Sequence, residues 1–562
     1  MQRLLTEEGS RVPGIPWAEY PRPQMRRAEW KCLNGEWSFR IGSGLPNTIR
    51  VPFCPESLLS GVSAPPAAGD ELNYERSFRI PEAWAGKRVL LHFGAVSRDC
   101  RVAVNGIPLF RQENGYLPFT VDITEAIRPG ENKISLKVIH DLSPVFPYGK
   151  QSARRGGMWY TPCSGIWQTV WIEPVPENYI RQLIIHTGSD WMEAEAVGIT
   201  EGWVEFQGNR IPLCNGKAHI DVADPVLWSP ESPYLYEFSV RTAEDSVTSY
   251  FALRTLTVET VSGIPRLCLN GKPYYFNGLL DQGYWSDGLY TPASPECFEK
   301  DIIAMKSLGF NTLRKHAKIE AEQFYYDCDR LGMIVFQDMV NSGKYLFVRD
   351  TLLPNLRFQR RNDKRMHSDW RQRAAFLDAM EKTVSTLGNH PCIALWSIFN
   401  EGWGQFCADD CCRRLRKLDP TRFIDSTSGW FRQRESDVDS LHIYFTKLRL
   451  GKKRGRPCLL SEFGGFVWKD TRHSFNTEKT YGYKVFKSRE EFVSSLRSVY
   501  TDQIAPLIAR GLCGSIYTQV SDVEDETNGL LTFDRKVLKI QPEEIADAAG
   551  KLARAISAGE PM

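Results

Sequence analysis

No run of about 18 apolar residues occurs in the chain, so nothing in it reads as a helix built to span a bilayer. An excess of one charge is also missing. Against 70 Lys and Arg stand 68 Asp and Glu, a formal net charge of +2, which gives no global field to hold nucleic acid or a membrane surface. The start of the chain, Met1 to Gly14, carries Glu7, Glu8 and Arg11 where a secretion signal needs an apolar core, so the expected compartment is the cytoplasm. The 14 cysteines are scattered and form no Cys-x-x-Cys, which argues for reduced thiols. Cys407, Cys411 and Cys412 share a helical spacing but have no histidine nearby, and no metal or cofactor is expected.

What is present is ordinary for a globular protein: 42% apolar and 25% charged residues. At 562 residues the chain exceeds one core, and length alone predicts about three or four domains. From Trp30 to Pro176, short alternating runs such as Arg101-Val-Ala-Val-Asn-Gly and Ile134-Ser-Leu-Lys-Val are punctuated by Asn-Gly and Pro-Gly turns. That pattern predicts a β-sandwich over 1–178. A second β pattern, including Ile180 to His186 and Tyr236 to Arg241, predicts a small immunoglobulin-like sandwich over 179–260. It is short enough that a strand or two is expected to be missing.

After Val261 strands alternate with helical patterns, the mark of a parallel sheet. Eight candidate strands follow: Tyr274 to Leu280, Thr312 to Lys315, Ile334 to Asp338, Ile393 to Asn400, Phe423 to Ser426, Leu441 to Tyr444, Cys458 to Glu462, and Gly514 to Thr518. Helical patterns cover Pro295 to Leu308, Ala321 to Leu331, Trp370 to Leu387, Phe406 to Leu418 and Glu490 to Arg510. The prediction for 261–562 is a (β/α)₈ TIM barrel, whose active-site residues sit at the carboxyl ends of the strands.

Those ends are polar. The fourth strand, an apolar run, stops at Asn400-Glu401-Gly402, and the seventh stops at Ser461-Glu462-Phe463-Gly464. Two carboxylates on two strand ends are the residue types a glycosidase needs, one to protonate a leaving oxygen and one to attack or to activate water. Asp281, Arg314, His316, Asp338, His442, Tyr444 and Gln519 lie at other ends.

The phrase Trp396-Ser-Ile-Phe-Asn-Glu followed by Ser-Glu-Phe-Gly, with Tyr74-x-Arg-x-Phe-x-Ile-Pro, Gly165-Ile-Trp-Gln-Thr-Val-Trp and Leu227-Trp-Ser-Pro-Glu-Ser-Pro-Tyr, resembles glycoside hydrolase family 2. This family contains β-galactosidases, β-glucuronidases and β-mannosidases. The resemblance implies a jelly-roll first domain and a retaining β-glycosidase acting on an oligosaccharide or glycoside, possible as a homo-oligomer; exo action is expected from the long insertion after the third strand, a lid or wall that would narrow the site to chain ends. It assigns Glu401 as acid/base, Glu462 as nucleophile, Asn400 to the sugar 2-hydroxyl, Tyr444 beside the nucleophile and Arg314 as its support. His316 and His442 are either sugar ligands or structural. Asp281 and Asp338 bind sugar hydroxyls or cap helices. Many relatives place a tryptophan under the sugar in the last strand; here Tyr517 and Trp285 are the candidate platforms.

For the glycone, β-glucuronidases hold the carboxylate with an Asn-x-Lys pair. This chain reads Asn528-Gly529-Leu530, which argues against a glucuronidase unless Lys536 or Arg154 substitutes. Galactose is therefore expected, on family frequency, with glucuronidase, mannosidase and galacturonidase as alternatives. A non-catalytic carbohydrate-binding protein on the same fold is the alternative of another class. The loop Lys150 to Tyr160 either forms a surface hairpin or brings Arg154 or Arg155 to the barrel mouth. Two basic stretches, 357–373 and 447–456, are either solvated loops or a charged rim, and the first follows a strand end where an inserted lid would sit.

Overall fold

The structure is a computed structural model that describes residues 1–67, 69–355, 362–450 and 455–557. Alternation builds the first sandwich: Gly35–Ile41 and Glu131–Ile139 each bury every second side chain. A six-stranded antiparallel sheet (Asn47–Val51, Gly35–Ile41, Glu71–Arg79, Glu131–Ile139, Asp99–Val104, Ile107–Gln112) faces a four-stranded one (Lys31–Cys32, Val170–Val175, Arg88–Phe93, Phe119–Asp122). Trp37, Phe39, Leu91, Phe93 and Leu136 fill the space between them.

The second sandwich packs a three-stranded sheet (Gln182–Thr187, Trp191–Val197, Lys217–Asp221) on a four-stranded one (Asn209–Pro212, Trp203–Phe206, Tyr236–Arg241, Ser246–Phe251). That makes seven strands, the complement of a constant-type immunoglobulin sandwich, so the expected loss of strands is corrected. Economy comes from short strands and tight turns. Arg27 joins the two sandwiches by bonding Asp245 at 2.8 Å and Glu173 at 3.3 Å.

A three-stranded ribbon, Leu256–Val261 with Ile264–Leu269 and Lys272–Pro273, then leads into eight parallel strands. These are Phe276–Asp281, Thr312–Lys315, Ile334–Asp338, Ile393–Asn400, Phe423–Ser428, Asp439–Ile443, Cys458–Gly464 and Leu512–Thr518, first to eighth. Their order around the sheet is fifth, fourth, third, second, first, eighth, seventh, sixth. The sheet closes where the fifth meets the sixth, with Ser440 Oγ donating to Asp425. Most strand residues are buried on both faces, the condition of a barrel wrapped by helices.

Helices Glu296–Ser307, Glu322–Leu331, Trp370–Leu387 and Ala408–Leu418 fall where expected. The single helix expected over Glu490 to Arg510 is instead Arg489–Ser498, a π-turn over Val499–Ile504, and Ala505–Ile508. Pro506 has no N–H to continue the α pattern, so the chain widens before it. The connection 429–438 carries no helix.

The chain start lies against the barrel: Thr6 donates to Asp287 and Trp17 Nε1 to the Pro292 carbonyl at 2.9 Å. All fourteen cysteines are unpaired. No helix among the described residues is long and apolar enough to cross a membrane.

Candidate active site

A glycine turns the chain just past each carboxylate, Gly402 directly after Glu401 and Gly464 two residues after Glu462. A Cβ on Gly402 would meet the Phe431 ring at 2.0 Å, and one on Gly464 the Tyr517 ring at 2.3 Å; both glycines have positive φ. Glu401 itself has φ of +53°, in the left-handed region. The result is that Glu401, Glu462 and His442 present oxygens and a ring nitrogen all within 4.8 Å of one another. His442 Nδ1 is 2.8 Å from Glu401 Oε1 and 3.6 Å from Glu462 Oε2. Its Nε2 meets Ser428 Oγ at 3.1 Å.

Behind this group lies Arg314, a buried guanidinium with every branch engaged. Nε donates to Asp338 at 3.0 Å, Nη1 to Glu462 Oε1 at 3.1 Å and to the Ser461 carbonyl at 3.0 Å, and Nη2 to Asn400 Oδ1 at 2.9 Å. Tyr444 donates to Glu462 Oε2 and stacks on Tyr483 with ring centroids 3.8 Å apart. Burial pushes the Glu462 carboxyl up, but the charges of His442, Arg314 and His316 and the Tyr444 hydrogen bond outweigh it and bring it down to about 2. Glu462 is therefore ionised at neutral pH.

Asn400, Arg314, His316, Asp338, His442 and Tyr444 thus surround the carboxylate pair. Asp338 is not free for a ligand, since its oxygens accept from Arg314 Nε and from His316 Nδ1 at 2.6 Å. It orients both. Burial depresses the His316 imidazole, and its buried Nε2 has no hydrogen-bond partner.

Four candidates lie elsewhere. Asp281 pairs with Lys315 at 2.6 Å and accepts from the Gly283 amide, so its carboxylate closes a loop rather than facing a ligand. Trp285 packs against Phe298 with Arg535 over its ring at 4.1 Å, buried behind the first strand's loop. Tyr517 is fully buried, its hydroxyl accepting from the Phe466 amide, and Gln519 is fully buried with its amide donating to Asn528. Neither platform offers a face; inward barrel positions that read as accessible are filled by packing.

Other side chains reach the mouth from loops. Trp403, two residues after Glu401, packs edge-on against Trp159 of the first sandwich and Tyr345 after the third strand, with centroids 5.0 and 5.7 Å away. Tyr483 follows the seventh strand, and Glu526 follows the eighth, held by Tyr160 Oη at 2.5 Å and Asn528 Nδ2 at 3.0 Å. Trp403 was missed, although it directly follows the Asn400-Glu401-Gly402 turn; Tyr483 and Glu526 carried no signal of their own.

The loop Lys150 to Tyr160 does dock on the barrel. Next to it the Tyr148 amide donates to the Asn341 carbonyl at 3.0 Å, and Trp403 Nε1 meets Tyr148 Oη at 3.2 Å. Its arginines do not face the carboxylates: Arg155 pairs with Glu524 at 3.6 Å and lies over Phe475, and Arg154 is exposed. Leu530 is fully buried and Lys536 is exposed on a turn. Residues 357–361 and 451–454 of the two basic stretches lie outside the described residues. Of the remainder, Arg373 binds the carbonyls of Lys364, Met366 and His367, so it ties down its own loop.

The barrel region matches the glycosyl hydrolases family 2 TIM barrel domain over residues 262–467. Residues 64–201 match the glycosyl hydrolase 2 galactose-binding domain-like model, and 192–254 a further family 2 model. Among relatives, the β-glucuronidase of Felis catus is 26% identical over 68% of this chain and 65% of its own. A solved β-glucuronidase from an uncultured Clostridium superposes with a TM-score of 0.75 at 18% identity, over 94% of this chain and 99% of that one. The β-galacturonidase of Eisenbergiella tayi, solved with galacturonate, gives 0.69 at 20% identity over 94% and 99%. The chain spans between 34% and 65% of the length of the curated relatives it first matches. With matching models across both sandwiches and the barrel, the chain belongs to glycoside hydrolase family 2.

Proposed function

We propose that this protein is a retaining exo-β-glycosidase that removes terminal β-linked hexuronate residues from glycosides. The observation that carries the catalytic part is the convergence of Glu401 and Glu462 within 4.8 Å at one barrel mouth. That spacing fits the roughly 5 to 5.5 Å carboxyl separation of retaining enzymes and leaves no room for the water an inverting enzyme holds between its carboxylates.

In the first step ionised Glu462 attacks the anomeric carbon, Glu401 gives its proton to the departing oxygen, and the glycosidic bond breaks as a glycosyl ester forms. Water then attacks the same carbon, Glu401 takes its proton, and the ester releases Glu462. Glu462 is a carboxylate in the first step and a neutral ester in the second, so the charge beside Glu401 changes between its acid and its base role. His442 bonds only Oε1 of Glu401, which leaves Oε2 to carry the proton. Asn400, with Oδ1 held by Arg314, offers Nδ2 to the sugar 2-hydroxyl. The Trp159, Tyr345 and Trp403 wall closes one side, which supports action on a chain end. Fourteen unpaired thiols suit a reducing compartment such as the cytoplasm.

The hexuronate replaces the galactose expected from the sequence. What supports it is the identity to a β-glucuronidase over two thirds of this chain. A panel of 4-nitrophenyl β-glycosides tests the proposal, with glucuronide, galacturonide, galactoside and mannoside side by side. Turnover of a uronide is expected. Turnover of the galactoside alone would restore the neutral glycone, and glycan binding without any turnover would favour a non-catalytic binding protein.

A further inference from the structure

We infer that Lys150, from the first sandwich, is the residue that recognises the substrate carboxylate, standing in for the lysine whose place Leu530 takes. This rests on the hexuronate reading above.

The position of Lys150 is defined by backbone on both sides. Gly149, with positive φ, packs so closely on the barrel that a Cβ there would meet the Ala317 carbonyl at 2.8 Å, one residue beyond His316. Asn341 Nδ2 also donates to the Gly149 carbonyl at 3.2 Å. On the other side the Lys150 carbonyl accepts from the Tyr160 amide at 3.0 Å, and the Tyr160 hydroxyl holds Glu526. Lys150 is thus framed between the end of the second barrel strand and the loop after the eighth.

In a pyranose ring C5 lies across from C2. If Asn400, at the end of the fourth strand, holds the 2-hydroxyl, the C5 substituent points across the mouth toward the eighth strand, which is opposite the fourth in the barrel order. The carboxylate of a hexuronate is that substituent, and the segment bearing Lys150 and the loop bearing Glu526 lie on that side.

Among the described residues the half-buried Lys150 ammonium has no hydrogen-bond or ion-pair partner. Nearby, the buried His316 Nε2 has no partner either. The unmatched ammonium suits an anionic ligand group, whereas His316, whose Nδ1–H is given to Asp338, presents an Nε2 lone pair that suits a sugar hydroxyl. The electrostatics agree. Burial raises the Glu526 carboxyl and the Lys150 charge works against that rise; burial lowers the His316 imidazole and the Lys150 charge adds to it. Both effects require Lys150 to sit near both groups. Without it, Glu526 would repel an incoming carboxylate.

The test compares wild type, Lys150→Met and Lys150→Arg on 4-nitrophenyl β-D-glucuronide, β-D-galacturonide and β-D-galactoside. Losing one partner of a desolvated charge pair should cut kcat/KM on the preferred uronide by about 100-fold for Lys150→Met, mainly through KM. The uronide-to-galactoside ratio should fall with it, and Lys150→Arg should recover most of the loss. If Lys150→Met stays within about 3-fold of wild type on the uronide, or loses both substrates equally, the role of Lys150 is overturned while the hexuronate reading stands. If wild type cleaves the galactoside and neither uronide, the hexuronate reading itself fails and takes this inference with it.

Discussion

Arg314 and Asn400 share one hydrogen bond, Nη2 to Oδ1 at 2.9 Å, and that bond fixes which end of the amide a ligand meets. A guanidinium has only donors, so it can accept no other orientation of Asn400. Nδ2 is left for the sugar.

Asn400→Ala should therefore lower kcat by about 100-fold on the full substrate, since contacts to the 2-hydroxyl strengthen in the transition state. On the matching 2-deoxy glycoside the same substitution should cost little. A double cycle of enzyme and substrate change measures this. Equal losses on both substrates would show that Asn400 does not bind that hydroxyl.

Glu401 and Glu462 should fail in different ways. Glu462→Ala should abolish turnover of every glycoside, because no ester can form. Glu401→Ala should keep measurable activity on glycosides with good leaving groups, such as 2,4-dinitrophenyl, and azide should raise it by attacking the ester without a base. Stopped assays with and without azide check this. Equal loss from both changes on the activated substrate would exchange or remove the assigned roles.

The Glu462 carboxyl is held down to about 2, below its ordinary value of 4.5. Between those values the unfolded chain binds a proton that the folded chain does not, so this group contributes stability above about pH 4.5 and loses it as pH falls toward 2. Denaturant unfolding at pH 6 and pH 3.5 should show a smaller drop for Glu462→Gln than for wild type. An equal or larger drop in the variant would mean the carboxylate is not stabilised in the fold.

Arg314 should not be replaceable by lysine. One ammonium cannot reach Asp338, Glu462, the Ser461 carbonyl and Asn400 together, so Arg314→Lys should keep the charge yet reduce kcat by about 100-fold or more. Arg314→Leu strands buried Asp338 and Glu462 and should cost about 3 to 5 kcal/mol of stability. Steady-state kinetics and denaturant titration separate the two effects. A fully active lysine variant would contradict the positioning role.

The barrel was legible because parallel strands buried on both faces are written as short apolar runs with polar ends. Thr312–Lys315, Ile334–Asp338 and Ile393–Asn400 appear in the structure with the bounds the sequence implied. The carboxylates were legible for the same reason, since each ends such a run ahead of a glycine turn. Trp285 and Tyr517 misled because an aromatic side chain at a strand end looks the same in sequence whether it faces a ligand or fills the core. Tyr483, Glu526 and Lys150 were hidden by topology: each rides on a loop whose arrival at the mouth depends on contacts with remote segments, as Tyr160 with Glu526 shows. In the loop 150–160 the arginines drew attention by charge, yet acidic neighbours and solvent claim them and Lys150 is left over.

The measurement that bears most directly on the account is the configuration of the first sugar released, followed by proton NMR as an aryl β-glycoside is hydrolysed. Two displacements at one carbon, first by Glu462 and then by water, predict that the β anomer appears first and the α anomer grows in only by mutarotation. An α anomer formed first would mean a single displacement, and Glu462 could not be the nucleophile.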